Sequence, residues 1–273
     1  MGPAPFSCAQ PLRRIGTLPT RAKPIIIAGG MSESERNRSD FALAFETSSA
    51  MGSVALGREE RVLAAVRLTQ PRAHAAEFLP AIDALCRGNG VEPKSIRAAY
   101  VSSGPGSFTG LRIGITAARM IAFATGAKLV AIPTLEIIAQ NAADADPRPQ
   151  RVTVLLDAKR GHVYSAAFDF DGERYRASSS PVEADPLAFL NLQPADAAVL
   201  GEGVLYHRDA VAASGRRVLP ESLFPPRAET VYRLGCESAR RGEFVNAREL
   251  IPVYIRPPEA EEVWTQRHPS PHA

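Results

Sequence analysis

One local pattern occurs twice in this chain: an apolar stretch that ends in an acid, a short turn of small or polar residues, and an apolar stretch that returns. The first copy runs from Phe41 to Phe45, ends in Glu46-Thr-Ser-Ser49, and returns as Gly52-Ser-Val-Ala-Leu56. The second runs Val152-Thr-Val-Leu-Leu156 into Asp157, turns through Ala158-Lys-Arg-Gly161, and returns from His162 to Phe168. Short apolar runs bounded by turn residues read as antiparallel strands, and repetition of one such unit points to a duplicated lobe. Each lobe is expected to be a mixed β-sheet covered by helices, an α/β architecture with a cleft between the lobes. A chain of 273 residues is long enough for two such units.

Between the two copies the pattern predicts a third strand at Arg61–Arg67 and a helix from Ala73 to Arg87, whose Phe78, Ile82 and Leu85 form one apolar stripe. Pro80 should kink that helix or mark a restart. A buried strand over Ile96–Ser102 leads into a Gly-rich segment. A helix then runs to about Thr125, with Gly126 as its cap. Lys128–Ile132 is a further strand, and Thr134 is the expected N-cap of the next helix. In the second half a strand is expected near Glu173–Ala177, another at Ala198–Gly201, a helix over Glu229–Arg241 and an extended piece at Val253–Arg256. The organisation that follows is an extension over 1–40, a first lobe over 41–147, a second over 148–256, and a flexible tail over 257–273.

Residues 1–40 differ from the rest. Five prolines break any helix, and the segment reads as a disordered extension or as sequence ahead of a start at Met31. It holds six basic and three acidic residues, whereas 41–273 holds 26 of each. The net charge of +3 thus resides outside the folded part, and a neutral body argues against a large phosphate-gripping surface. Any nucleic-acid contact is expected mainly through a partner chain. No apolar run approaches the ~20 residues of a membrane span. The three cysteines, Cys8, Cys86 and Cys236, lie far apart, which suits a reducing, cytoplasmic setting.

The segment Gly104-Pro-Gly-Ser-Phe-Thr-Gly-Leu-Arg-Ile-Gly114 admits two readings. Gly104, Gly106, Ser107 and Thr109 could form an anion loop at a helix N-terminus. Equally, they could form a tight strand-to-helix turn capped by Ser107 or Thr109. Gly110, Gly114, Ala118 and Ala122 recur every four residues and make a ridge that lets another backbone approach closely. The approaching element could belong to the same lobe or to another chain. With Arg112 on the border, the second option makes this the partner-binding face, and Gly114→Leu or Ala118→Arg would then block pairing while leaving the fold intact. Metal chemistry has little support. His268 and His272 have helical ligand spacing, but Pro269 and Pro271 separate them, and His74 has no ligand four residues on. Glu46 and Asp157, at equivalent strand ends, could face each other across the cleft and hold a metal–nucleotide, or could simply satisfy turn amides.

Several of these segments together resemble the TsaB family. They are Ala44–Ser49, the helix carrying His74, Leu79-Pro80 and Asp83, Ser103–Gly114, Ile132–Leu135, Leu156–Tyr164 and Pro252–Arg256. The match is loose between about 170 and 245. The resemblance implies a two-lobed actin-like ATPase (ASKHA) fold and a Gcp-like, non-catalytic subunit. Such a subunit forms a heterodimer with its paralogue TsaD, the threonylcarbamoyltransferase acting on adenosine next to the anticodon of tRNA. A TsaE-type ATPase joins them, and a homodimer is an option when the chain is alone. The partner surface implied comprises His74, Phe78, Ile82, Gly110, Arg112, Gly114, Ala118 and Ala122. No cofactor is implied for this chain, with ATP and Mg²⁺ entering at the level of the complex. TsaD-type proteins carry a His-x-x-x-His metal motif on the first helix, where this sequence has only His74. Family members usually have Asp at Glu46, and the acids would be vestigial. The alternatives on the same fold are a metallopeptidase and a small-molecule kinase or ATPase.

Overall fold

The computed structural model describes residues 40–68 and 74–255. The expectations for 1–39, including a start at Met31, for the tail over 257–273 with His268 and His272, and for the His74 side chain fall outside the described residues.

Strands β1 (Phe41–Glu46), β2 (Ser53–Arg58) and β3 (Arg61–Arg67) form an antiparallel meander. Helix α1 (His74–Gly88) follows, then β4 (Ile96–Gly104), helix α2 (Phe108–Thr125) and β5 (Lys128–Pro133). The first sheet has the order β3-β2-β1-β4-β5, with β1, β4 and β5 parallel. Helix α3 (Thr134–Gln140) leads to β6 (Arg151–Lys159), β7 (His162–Phe170), β8 (Tyr175–Ala177) and β9 (Val182–Ala184). Helix α4 (Pro186–Leu192), β10 (Ala198–Leu200), the short helices α5 (Gly203–Tyr206) and α6 (Arg208–Ala213), and α7 (Ala228–Arg240) complete the order. In the second sheet, β6 lies between antiparallel β7 and parallel β10, just as β1 lies between β2 and β4. The duplication read in the sequence is therefore present in the wiring of the sheets.

Alternation along β1 decides what covers each face of the first sheet. Phe41, Leu43 and Phe45 point into a core with Phe78, Leu85 and Ile115 of α1 and α2. Ala42 and Ala44, joined by Ala55 and Ala65, point to the other face and pack against Val231, Tyr232 and Leu234 of α7. Small residues there let the helix sit close. A Cβ at Gly57 would collide with the Tyr232 ring, and one at Gly235 with the Tyr100 ring. The Tyr232 hydroxyl donates to the Glu59 carbonyl at 2.9 Å. Helix α3 ties the lobes together. Leu135 and Ile138 enter the second core and Ile137 the α7 layer. The Gln140 side chain exchanges two hydrogen bonds with the Tyr175 backbone, at 2.8 and 3.0 Å.

Three expectations need correction. The second lobe does not hold all of 148–256. Helix α7 closes the first sheet, Val245 donates to the Leu129 carbonyl, and Val253 donates to the Ser103 carbonyl at 2.7 Å, so the chain returns to the first lobe after about residue 227. Pro80 marks no restart, because α1 is one helix and the proline lies on its exposed side, where an unpaired carbonyl can be hydrated. Thr134 is the first helical residue rather than the N-cap, which is Pro133, and its hydroxyl is buried without a partner among the described residues.

Truncating the fully buried ring in Tyr232→Ala should cost about 3–5 kcal/mol, read as a lower urea midpoint. Tyr232→Phe, losing only the hydroxyl bond, should cost about 1 kcal/mol.

Candidate functional site

Helix α2 has two unlike faces. Its Ser107 N-cap accepts from the Gly110 N–H at 3.2 Å, and Gly126 closes it in the left-handed region at φ 73°. The inward face carries Gly110, Gly114 and Ala118, all buried. A Cβ at Gly110 would overlap the Thr47 carbonyl oxygen, and one at Gly114 would overlap the Thr47 side chain. The glycine row therefore seats the β1–β2 turn of its own lobe. This corrects the partner-binding assignment of Gly110, Gly114 and Ala118, since a foreign backbone cannot reach them. Ala122 is half-buried against the same core. A four-residue spacing of small side chains specifies close approach but not which chain approaches.

The outward face borders an apolar groove of about 920 Å³ between α1 and α2. Phe78 forms its buried floor, while Ile82 and Arg112 line it. The residues that sequence reasoning missed are Leu79, Met120 and, adjoining the groove, Phe123, which are 64%, 61% and 89% exposed. The available signal was that α2 carries only two charges, Arg112 and Arg119, and beyond three threonines is apolar or small around its circumference, a composition that calls for burial on more than one side. At the N-terminal end of the groove Arg112 lies over the Phe108 ring at 4.2 Å, and Phe108 stacks on Tyr254 at 5.2 Å between centroids.

A second concavity, of about 540 Å³, opens between the lobes. Gly106, Ser107 and Thr109 line it from one side, and Asp157, Lys159 and Glu202 from the other. Gly104 does not reach it. Its φ of 112° lets the Val253 carbonyl pass, where a Cβ would sit 2.6 Å away. The Ser107 N–H is already donated to the Ser48 carbonyl at 2.6 Å, which places this part of the segment in the tight-turn reading. The two acids are not brought together. Glu46 is fully buried and takes no part in the cleft lining; its Oε1 accepts from the Ser48 N–H and hydroxyl at 2.6 and 2.5 Å, and Oε2 has no partner among the described residues. Burial pushes its carboxyl up to about 7 against the pull of the Ser48 bonds. Asp157 does face the cleft. Burial would raise it, but the Lys159 ammonium and backbone N–H, with His207 at 3.6 Å, outweigh burial and hold it below the usual carboxylate range. Burial, and then the Asp157 charge, raise Glu202. Among the described residues no group of three or more His, Cys, Asp or Glu side chains is arranged to hold a metal ion.

The family described as TsaD, tRNA N6-adenosine threonylcarbamoyltransferase, matches residues 61–218. The tRNA threonylcarbamoyladenosine biosynthesis protein TsaB of Bacillus subtilis is 28% identical, spanning 82% of this chain and 97% of its own length. TsaB of Haemophilus influenzae is 33% identical over 78% of this chain and 92% of its own. The solved structure of YeaZ from Pseudomonas aeruginosa has 32% sequence identity and a TM-score of 0.70, covering 79% of this chain and 99% of that one. The chain belongs to the TsaB family. Its two-lobed architecture is the actin-like ATPase fold, and no described helix is long and apolar enough to cross a membrane. Within this TsaB-family frame, the groove and the interlobe cleft are distinct surfaces joined at Phe108, Thr109 and Ile113, which line both.

Because Gly114 is sealed, Gly114→Leu should destabilise the folded chain by several kcal/mol, seen as a lowered denaturant midpoint of the chain alone; a folded, merely unpaired variant would contradict the geometry. Glu46 supplies a pH signature. Its folded value lies above the ordinary carboxylate value, so the native state binds the extra proton and stability falls as pH rises from about 4.5 to about 7, then levels. Glu46→Gln should flatten that decline, by on the order of 1–3 kcal/mol in urea titrations across the window.

Proposed function

We propose that this chain is a non-catalytic subunit of a tRNA threonylcarbamoylation complex, pairing through the α1–α2 groove with a TsaD-type catalytic chain. The observation that carries this is the groove itself: a cluster of exposed Leu79, Met120 and Phe123 above a buried Phe78 floor, on the face of α2 turned away from its own lobe. Large exposed apolar side chains clustered on rigid helices are the anchors that protein–protein interfaces use. Names of relatives, TsaB for those matching most of the chain and tRNA N6-adenosine threonylcarbamoyltransferase for others, set the pathway. A helix-pair surface also suits a homodimer when the partner is absent.

The non-catalytic reading rests on the acids. Glu46 is sealed and half-protonated near neutrality, and Asp157 is engaged by Lys159, so neither offers a free carboxylate pair to a metal–nucleotide. ATP, Mg²⁺ and a TsaE-type ATPase then act at the level of the complex, and tRNA is gripped mainly by other chains, in keeping with the charge balance of residues 41–273.

The test is mass photometry and titration with the cognate TsaD-type protein. Met120→Asp and Phe123→Asp should each weaken pairing at least about tenfold with circular dichroism unchanged, while Leu192→Asp, an exposed apolar residue on the second lobe, leaves it intact. Equal affinity for all three variants would reject the groove.

A further inference from the structure

We propose that Arg174 is a latch between the lobes: its guanidinium, reaching from the second lobe to Glu237 of α7 and Glu136 of α3, fixes the angle between the lobes and with it the aperture of the interlobe cleft. The pairing surface proposed above lies on the first lobe alone and neither supports nor requires this latch.

The lobes meet along a short seam. Helix α3 runs through it, and Asn141 at its end donates to the Leu223 and Pro225 carbonyls, at 2.9 Å each. The chain then re-enters the first lobe as α7, with Arg227 on Asp144 at 3.0 Å. Helix α7 packs on the first sheet, and at its start it is continuous with the second lobe. A rigid helix held at one end can swing about that end. Arg174 adds a second point of attachment, at Glu237, about 14 Å further along α7 at the helical rise of 1.5 Å per residue. Two separated attachments on one helix remove the swing. Nη1 of Arg174 lies 2.9 Å from Oε2 of Glu237 and 3.4 Å from Oε1 of Glu136.

The guanidinium is aimed by its own turn. Asp171 accepts from the Glu173 and Arg174 N–H groups at 2.9 Å each, which closes the β7–β8 connection. The next residue, Tyr175, is fully buried and its backbone is pinned by Gln140. The Arg174 side chain is only 14% exposed, and its Nε has no partner among the described residues. A cation at that depth is held by its two acids, and removing one partner leaves the others uncompensated. Burial raises the Glu136 carboxyl against the pull of Arg174, so Glu237 is the firmer anchor. The neighbouring charges are engaged within their own lobes. Arg241, 3.9 Å from Glu237, holds Glu243 at 2.6 Å, and Arg176 pairs with Asp171. Arg174, Glu136 and Glu237 do not line the cleft, so they act on its width through the lobes.

Pulsed electron resonance between two spin labels reads the interlobe angle on the full chain. The labels go on Glu92→Cys and Asn191→Cys, exposed sites on the first and second lobe, in a Cys8→Ser background that leaves the buried Cys86 and Cys236 in place. The expected result is one narrow distance in the otherwise unaltered chain. Arg174→Gln and Glu237→Gln should each bring in a second distance population. Combining the two should add nothing further, and Arg176→Gln should leave the narrow distance as it was. Neutralising Arg174, Glu136 and Glu237 together should not restore it, because the bond is still missing. Should Arg174→Gln lose its far-UV circular dichroism, Glu237→Gln, which leaves the second lobe untouched, decides alone. An unchanged distance in Glu237→Gln overturns the latch. So does a distribution that is already broad before substitution, or a narrow distance regained in the triple variant, which would assign the effect to repulsion between the two acids.

Discussion

The turn that follows the first strand, seated against the glycine row of α2, is the constraint on which the rest of the molecule depends. Thr47 lies so close to Gly110 and Gly114 that no side chain fits between them, and close-packed interiors leave no room to relax such an approach. That contact fixes the rotation of α2 about its own axis. Once the small face is turned inward with Leu111 and Ile115, Met120 and Phe123 are left on the outward side. The exposed groove is thus a consequence of how the first lobe closes: one face of α2 seats the turn and the other borders the groove.

The same turn disposes of the first acid. Glu46 ends β1 directly before Thr47, and its carboxyl is drawn into the lobe and bonded to Ser48. Its counterpart Asp157 lies two residues before the end of β6, at the cleft, where Lys159 accompanies it. Two copies of one pattern therefore give two electrostatic outcomes: a buried acid that titrates near neutrality, and a half-buried acid held ionised by an ammonium. Their separation leaves the interlobe cleft without the facing pair of carboxylates that the repeated pattern suggested.

Much of this was legible in the residues. The apolar run Phe41–Phe45 reads as a strand, and the repeated strand–acid–turn–strand unit points to a second sheet. What covers the Ala42 and Ala44 face was not legible: it is α7, whose sequence lies far downstream and whose partner is chosen by the tertiary path of the chain. The row Gly110, Gly114, Ala118 announced a close approach but not its occupant. A periodicity describes one helix face, whereas the identity of the neighbour is decided by the Thr47 turn, which carries no helical signal of its own. Leu79, Met120 and Phe123 escaped notice because an exposed apolar residue and a core residue look alike until burial is known.

Hydrogen–deuterium exchange of the chain with and without its TsaD-type partner tests the central claim most directly. The account predicts new protection confined to Leu79–Cys86 and Arg112–Thr125, the two walls of the groove, with exchange of the β6–β7 region unchanged. Protection centred on the second lobe or the interlobe cleft, with the walls of the groove exchanging as in the free chain, would contradict it.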